Sequence, residues 1–186
     1  MRVLLSVIAA LVAYPTGAPS DMCTSPPGKP EHGSADFTAG TGDYLIVVKG
    51  SDGVEVSQVA AGEQYTVEVS GSPFEGALLH ASAGTLAPSG DGFQMTGACV
   101  THTTDADKTQ LVATWTAPTT GATTTFQANV VVSTATFYGG GAIKADVVIT
   151  TGNTTTADPG TTTEATAASG AVGLAVAAVP VLALVW

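Results

Sequence analysis

Across residues 44–150 the chain alternates apolar and polar residues with a period of two, which is the pattern of strands that bury one face and show the other to water. Tyr65, Val67 and Val69 alternate with Thr66, Glu68 and Ser70. Leu111, Ala113 and Trp115 share one face, and Phe126, Ala128, Val130 and Val132 share another. Runs at 44–49, 76–82, 92–98 and 146–150 raise the expectation to about seven short strands. Turn-forming clusters such as Ser51-Asp52-Gly53 and Pro88-Ser89-Gly90-Asp91-Gly92 separate them. No segment reads as an amphipathic helix. The pattern therefore predicts an all-β chain, an immunoglobulin-like antiparallel β-sandwich of two sheets rather than a closed barrel, with strand order left open.

The charge balance removes whole classes of partner. Fifteen Asp and Glu stand against five Lys and Arg, a formal net charge of −10. With Arg2 set aside, the cations are Lys29, Lys49, Lys108 and Lys144, spread too thinly to neutralise a run of phosphates or to hold an anionic lipid surface. Nucleic acid is therefore not an expected partner.

The apolar excess lies at the two ends, and both ends read as addresses. Met1-Arg2 followed by an apolar run to Ala13 has the order of a secretory signal peptide, with cleavage expected after Ala13 and Ala18 as the fallback. A helix of that run rises only about 16 Å against a hydrocarbon core of about 30 Å. At the other end a Thr-rich stretch, residues 151–170, is too poor in large apolar residues to bury a core and reads as a disordered, O-glycosylated stalk. Residues 171–186 form a terminal apolar tail that contains Pro180 and has no Lys or Arg after it. That pattern fits a signal for a glycosylphosphatidylinositol (GPI) anchor better than a stop-transfer helix, although a short membrane tail stays open. Counting back about eight to twelve spacer residues places attachment at Gly160 or Thr161, with Ser169 and Asn153 as alternatives. Asn153-Thr154-Thr155 is the sole N-glycosylation sequon and sits between domain and stalk.

A chain sent into an oxidising compartment with two cysteines is expected to join them, so Cys23 and Cys99 are read as one disulfide. In the chain-entropy description, closing a loop of about 77 residues stabilises a fold by roughly 4.5 kcal/mol and ties the Pro-rich N-terminal segment to the sandwich.

The order of landmarks carries a resemblance. Tyr14-Pro15-Thr16-Gly17-Ala18-Pro19 leads to Cys23, then Pro27 and His32-Gly33. Phe74-Glu75-Gly76 is followed by Leu78-Leu79-His80-Ala81, and Gly92-Phe93 precedes Cys99. Trp115-Thr116-Ala117-Pro118 and Phe126-Gln127-Ala128-Asn129-Val130-Val131 complete the series. Over residues 14–150 this order and spacing resembles a reeler (reelin N-terminal-like) domain. The resemblance implies a secreted immunoglobulin-like sandwich, alone in small extracellular proteins of insect defence type or joined to larger ectodomains, and it implies no catalysis. Relatives commonly place a Met after the first cysteine and an Arg beyond the Phe-x-Gly segment, and some carry a second disulfide. Here Ser25-Pro26 and His80-Ala81-Ser82 stand in those places and no further cysteine exists. Relatives that continue into a haem-binding redox module have several spans and haem-ligand histidines, which this length does not accommodate.

Candidate chemistry is sparse. His32, His80 and His102 are widely spaced with no ligand-type pairing, so neither a metal nor a cofactor is expected. Ser70-Gly71-Ser72 is not set in a nucleophile elbow. Asp105 and Asp107 beside Lys108 read as a solvated turn rather than a cation site. Trp115 is in phase with Leu111 and Ala113 and reads as core rather than a sugar platform. Phe137 and Tyr138, ahead of Gly139-Gly140-Gly141, are expected as exposed aromatics at a flexible loop tip and hence as the candidate ligand contact. The resulting expectation is a non-enzymatic recognition or adhesion module at the outer cell surface, with a role in defence and an extracellular glycan or protein ligand. The alternatives are an accessory domain of a separate surface metal reductase and a structural coat protein.

Overall fold

The computed structural model describes residues 16–29, 36–121 and 123–151. The expected signal peptide, the sequon at Asn153, the anchor candidates Gly160, Thr161 and Ser169, and the tail at 171–186 lie outside them. Ten strands follow a 3-10 turn at Ser20–Met22. They are β1 (Leu45–Lys49), β2 (Gln58–Ala60), β3 (Gln64–Phe74), β4 (Gly76–Ala81), β5 (Thr85–Pro88), β6 (Phe93–Thr96), β7 (Cys99–His102), β8 (Lys108–Thr116), β9 (Thr123–Ser133) and β10 (Thr136–Thr150).

Two sheets face each other. One has the order β1-β3-β8-β5 and the other β2-β10-β9-β4-β7-β6. The alternating residues supply the layer between them. Val67, Val69, Leu111, Ala113 and Trp115 point inward from the smaller sheet and meet Leu79, Val100, Phe126, Ala128 and Val130 from the larger. The Trp115 indole stands edge-on to Phe126 with centroids 4.9 Å apart, and its N–H donates to the Ala83 carbonyl at 2.9 Å. Gly84 follows with φ +81, and a Cβ there would strike the indole nitrogen and ring, so the turn before β5 requires glycine.

The all-β sandwich stands as expected, but its strand count and pairing differ from the expectation. The seven strands become ten because β2, β5 and β7 were not anticipated. Two of these, β2 and β5, bury a single residue each, Val59 and Leu86, which is too little to establish a period. The expected strand at 92–98 ends at Thr96, and a turn at Gly97 returns the chain as β7 beside β6. Nor is the sandwich wholly antiparallel, since β2 runs parallel to β10 with Val59 beside Ile149. Finally, β10 begins at Thr136 instead of at Asp146 and absorbs the three glycines through a register shift between Tyr138 and Ile143.

Candidate functional site

Two outward faces are left once the core is filled, and the chain treats them differently. On the larger sheet, Thr101, Leu78 and Asn129 lie opposite one another across β7, β4 and β9, facing away from the core. The N-terminal segment lies over them as a strap. Its disulfide, Cys23 to Cys99, is closed. Met22, Leu78 and Cys99 form a small apolar cluster separate from the main core. The amide of Ala18 donates to Thr101 Oγ1 at 3.0 Å, Gln94 reaches the Thr16 carbonyl, and Ser25 Oγ donates to Gln127 Oε1 at 2.9 Å.

Asn129 holds the middle of the strap. Its side-chain amide donates to the carbonyls of Pro27 at 3.2 Å and Gly28 at 2.6 Å, while its Oδ1 accepts the Gly140 amide at 3.1 Å. That last contact explains the glycine run. A Cβ on Gly139 would collide with the Asn129 side chain, and one on Gly140, where φ is +61, would stand 2.9 Å from the Phe37 ring. The run is therefore a bulge packed under Phe37, not a flexible tip.

This corrects the expected exposed loop tip at Phe137 and Tyr138, which is a strand with Phe137 buried. Phe137 is 0% exposed, pairs across the ladder with Val131, and is covered edge-on by Phe37 at 5.6 Å. Tyr138 turns to the other face and packs on Tyr44 at 5.7 Å. Phe137 is closed off under the bulged strand and the strap, while Tyr138 is half-buried against the edge of the core. Sequence reasoning took a glycine triplet as a loop because it could not see Asn129 and Phe37 closing over it.

His32 lies outside the described residues. His102 is buried, with Nδ1 within 3.2 Å of the Ala77 amide and of Thr101 Oγ1. His80 faces outward on β4 beside Gln127, with Nδ1 buried and unpaired, and burial holds its pKa below the usual histidine value. The unfolded chain then binds a proton at a pH where the folded chain resists it, so stability falls as pH drops below about 6.5 toward the lower folded value. His80→Gln is expected to flatten that decline relative to the parent chain when melting temperatures are compared at about pH 7.5 and about pH 5.5. Equal slopes in the two proteins would show that His80 plays no part in it.

Among the described residues no three of His, Cys, Asp and Glu come together as a metal site. The acidic turn at Asp105 and Asp107 is filled by the chain's own cation. Lys108 Nζ donates to the carbonyls of Glu75 at 3.1 Å, Thr104 at 2.5 Å and Ala106 at 2.5 Å, and burial lowers its pKa against the opposing pull of Asp105, Asp107 and Glu75.

Among the described residues, no segment lies over the outer face of the smaller sheet. Reading across its strands, Lys49, Thr66, Thr114 and Ala87 form one outward row, and Val47, Glu68 and Val112 form the next. Lys49 and Glu68 pair at 2.6 Å, and Glu55 lies opposite Lys49 in an isolated bridge at the edge of β1, so the cation of this row stands between two carboxylate-bearing positions. A depression of about 250 Å³ opens on it, lined by Gly50, Ser51, Gln64, Tyr65, Thr66 and Thr114. Sequence reasoning passed over these residues because they are the polar partners of a core pattern.

A model of the Reeler domain matches residues 27–156. The chain belongs to the reeler family. Solved reeler domains share the fold. The human F-spondin reeler domain (fragment 1) has 21% identity and a TM-score of 0.54, covering 62% of this chain and 94% of that one. The Reelin-N domain of F-spondin has 22% identity and a TM-score of 0.54, covering 62% and 92%. A comparison with curated proteins finds no match. The disulfide and the strap over the larger sheet belong to this chain's reeler domain as the structure shows it, and the smaller sheet is the broad face the strap leaves open.

Proposed function

We propose that this reeler domain is a non-catalytic recognition or adhesion module, exported by its leading apolar segment and displayed at the outer cell surface by its C-terminal tail, with a role in defence. The closed Cys23–Cys99 bridge supports the reading most directly, because such bonds persist in oxidising compartments. Among the described residues the sandwich leaves one sheet, β1-β3-β8-β5, with no segment laid over its outer face.

The test is expression of the full-length chain in eukaryotic cells. Surface labelling without permeabilisation is expected, with release by a GPI-specific phospholipase C. The purified chain is expected to bind a microbial or cell surface saturably. Full-length reduced protein in the cytosol with its leader attached would remove the reading. Surface retention after the phospholipase would replace the lipid anchor with a membrane tail.

A further inference from the structure

The uncovered face of the β1-β3-β8-β5 sheet has the chemistry of a particular ligand class. We infer that the depression lined by Ser51, Gln64, Tyr65, Thr66 and Thr114 binds a neutral sugar residue of an extracellular glycan. This deepens the recognition reading above and rests on it.

The lining groups come first. Hydroxyls and the Gln64 amide each donate and accept hydrogen bonds, which is what the neighbouring hydroxyls of a sugar ring require. No ionised group lines the depression. Lys49, on the same row as Thr66 and Thr114, is paired with Glu68 at 2.6 Å and stands opposite Glu55 in a backbone bridge, so it offers no free positive charge to an anionic ligand.

Charge outside the face points the same way. Turns that bound these strands carry Asp52, Glu63, Asp91, Asp105 and Asp107, and the whole chain is at −10, so sulfated or uronate-rich glycans are repelled on approach. A neutral polyol meets no such barrier.

Geometry sets the size and the rigidity. Thr66 and Thr114 sit opposite each other on adjacent antiparallel strands, held by the β3–β8 ladder. Their hydroxyls are thus positioned before the ligand arrives, which lowers the ordering cost of binding. At about 250 Å³ the depression is smaller than the pockets of roughly 300–1,000 Å³ that take whole drug-sized ligands, and it suits one ring of a longer chain.

The experiment uses the full chain on an array of mannose-, glucose- and N-acetylglucosamine-terminated oligosaccharides, with heparin as the anionic comparison. The parent is expected to bind at least one neutral series and not heparin. The double variant Thr66→Val/Thr114→Val keeps the β-branched shape at both positions and removes only the hydroxyls. It is expected to lose about tenfold or more in affinity, the loss of two hydrogen bonds. Thr123→Val, on the other sheet opposite Val148, is expected to bind like the parent. If the double variant melts early, Gln64→Ala at an exposed position supplies the same readout.

Unchanged binding in the double variant overturns the inference, as does heparin binding in preference to neutral sugars. Sedimentation showing a parent dimer that the double variant dissociates would make the face a self-contact and also overturn it. If no neutral glycan binds while the chain still coats cells, the sugar site falls and the recognition reading survives. If the chain binds no surface at all, both fall.

Discussion

Replacing Trp115 with alanine is expected to remove about 3–5 kcal/mol of folding stability, the usual result of deleting a fully buried large aromatic. The indole lies between Tyr65 and Phe126, with centroids 6.1 Å and 4.9 Å away, and is 0% exposed. Its removal leaves a cavity in the middle of the layer between the sheets and strands the Ala83 carbonyl that accepted its N–H. Because a domain has only about 5–15 kcal/mol in all, the urea midpoint should fall by more than about 1 M. Trp115→Phe keeps part of the packing and is expected to lose about 1–2 kcal/mol, through the missing hydrogen bond and smaller ring. An exposed sugar platform behaves in the opposite way: alanine there lowers ligand affinity and leaves the melting curve unchanged.

Removing the bridge with Cys23→Ala/Cys99→Ala is expected to have the second largest effect, a loss of about 2–5 kcal/mol. Cys23 and Cys99 are 76 positions apart, so the bond closes a long loop in the unfolded chain. In the folded chain its local consequence is the strap. The cluster of Met22, Leu78 and Cys99 is separate from the main core, and what remains is the Asn129 latch with a few peripheral hydrogen bonds. Hydrogen exchange should therefore show the amides of residues 16–29 losing protection while those of β3, β8 and β9 keep theirs. Intact protection in that segment would mean that Asn129 holds the strap without the covalent bond.

The inner faces of the long strands were legible from composition and order alone. Val67, Val69, Leu111, Ala113 and Trp115 are apolar at every second position, and burial of one sheet face leaves few other ways to satisfy that pattern. Cys23 and Cys99 were legible for a different reason: they are the two cysteines of the sequence, so a disulfide has one possible pairing. What stayed hidden depends on contacts between distant residues. Asn129 lies about a hundred positions from the Pro27 and Gly28 carbonyls that it binds, with sequence separations of 102 and 101, and no local pattern marks a buried amide as a latch. Phe137 was misplaced for the same reason, since the ring that covers it comes from Phe37. The sheet face with the hydroxyl-lined depression was spelled out residue by residue in the alternation. It became a candidate only when pairing placed Thr66 beside Thr114.

The parallel pairing of β2 with β10 bears on how the molecule is made. Gln58, Val59 and Ala60 are joined along the ladder to Val148, Ile149 and Thr150. During synthesis β2 leaves the ribosome long before its neighbour, and β10 also supplies the flank of β9. The larger sheet therefore stays open until β10 has been synthesised, leaving bare backbone and Val59 available for misassociation with other nascent chains. A premature stop anywhere before residue 136 would yield a chain with its edge uncapped, exposed to chaperones and proteases.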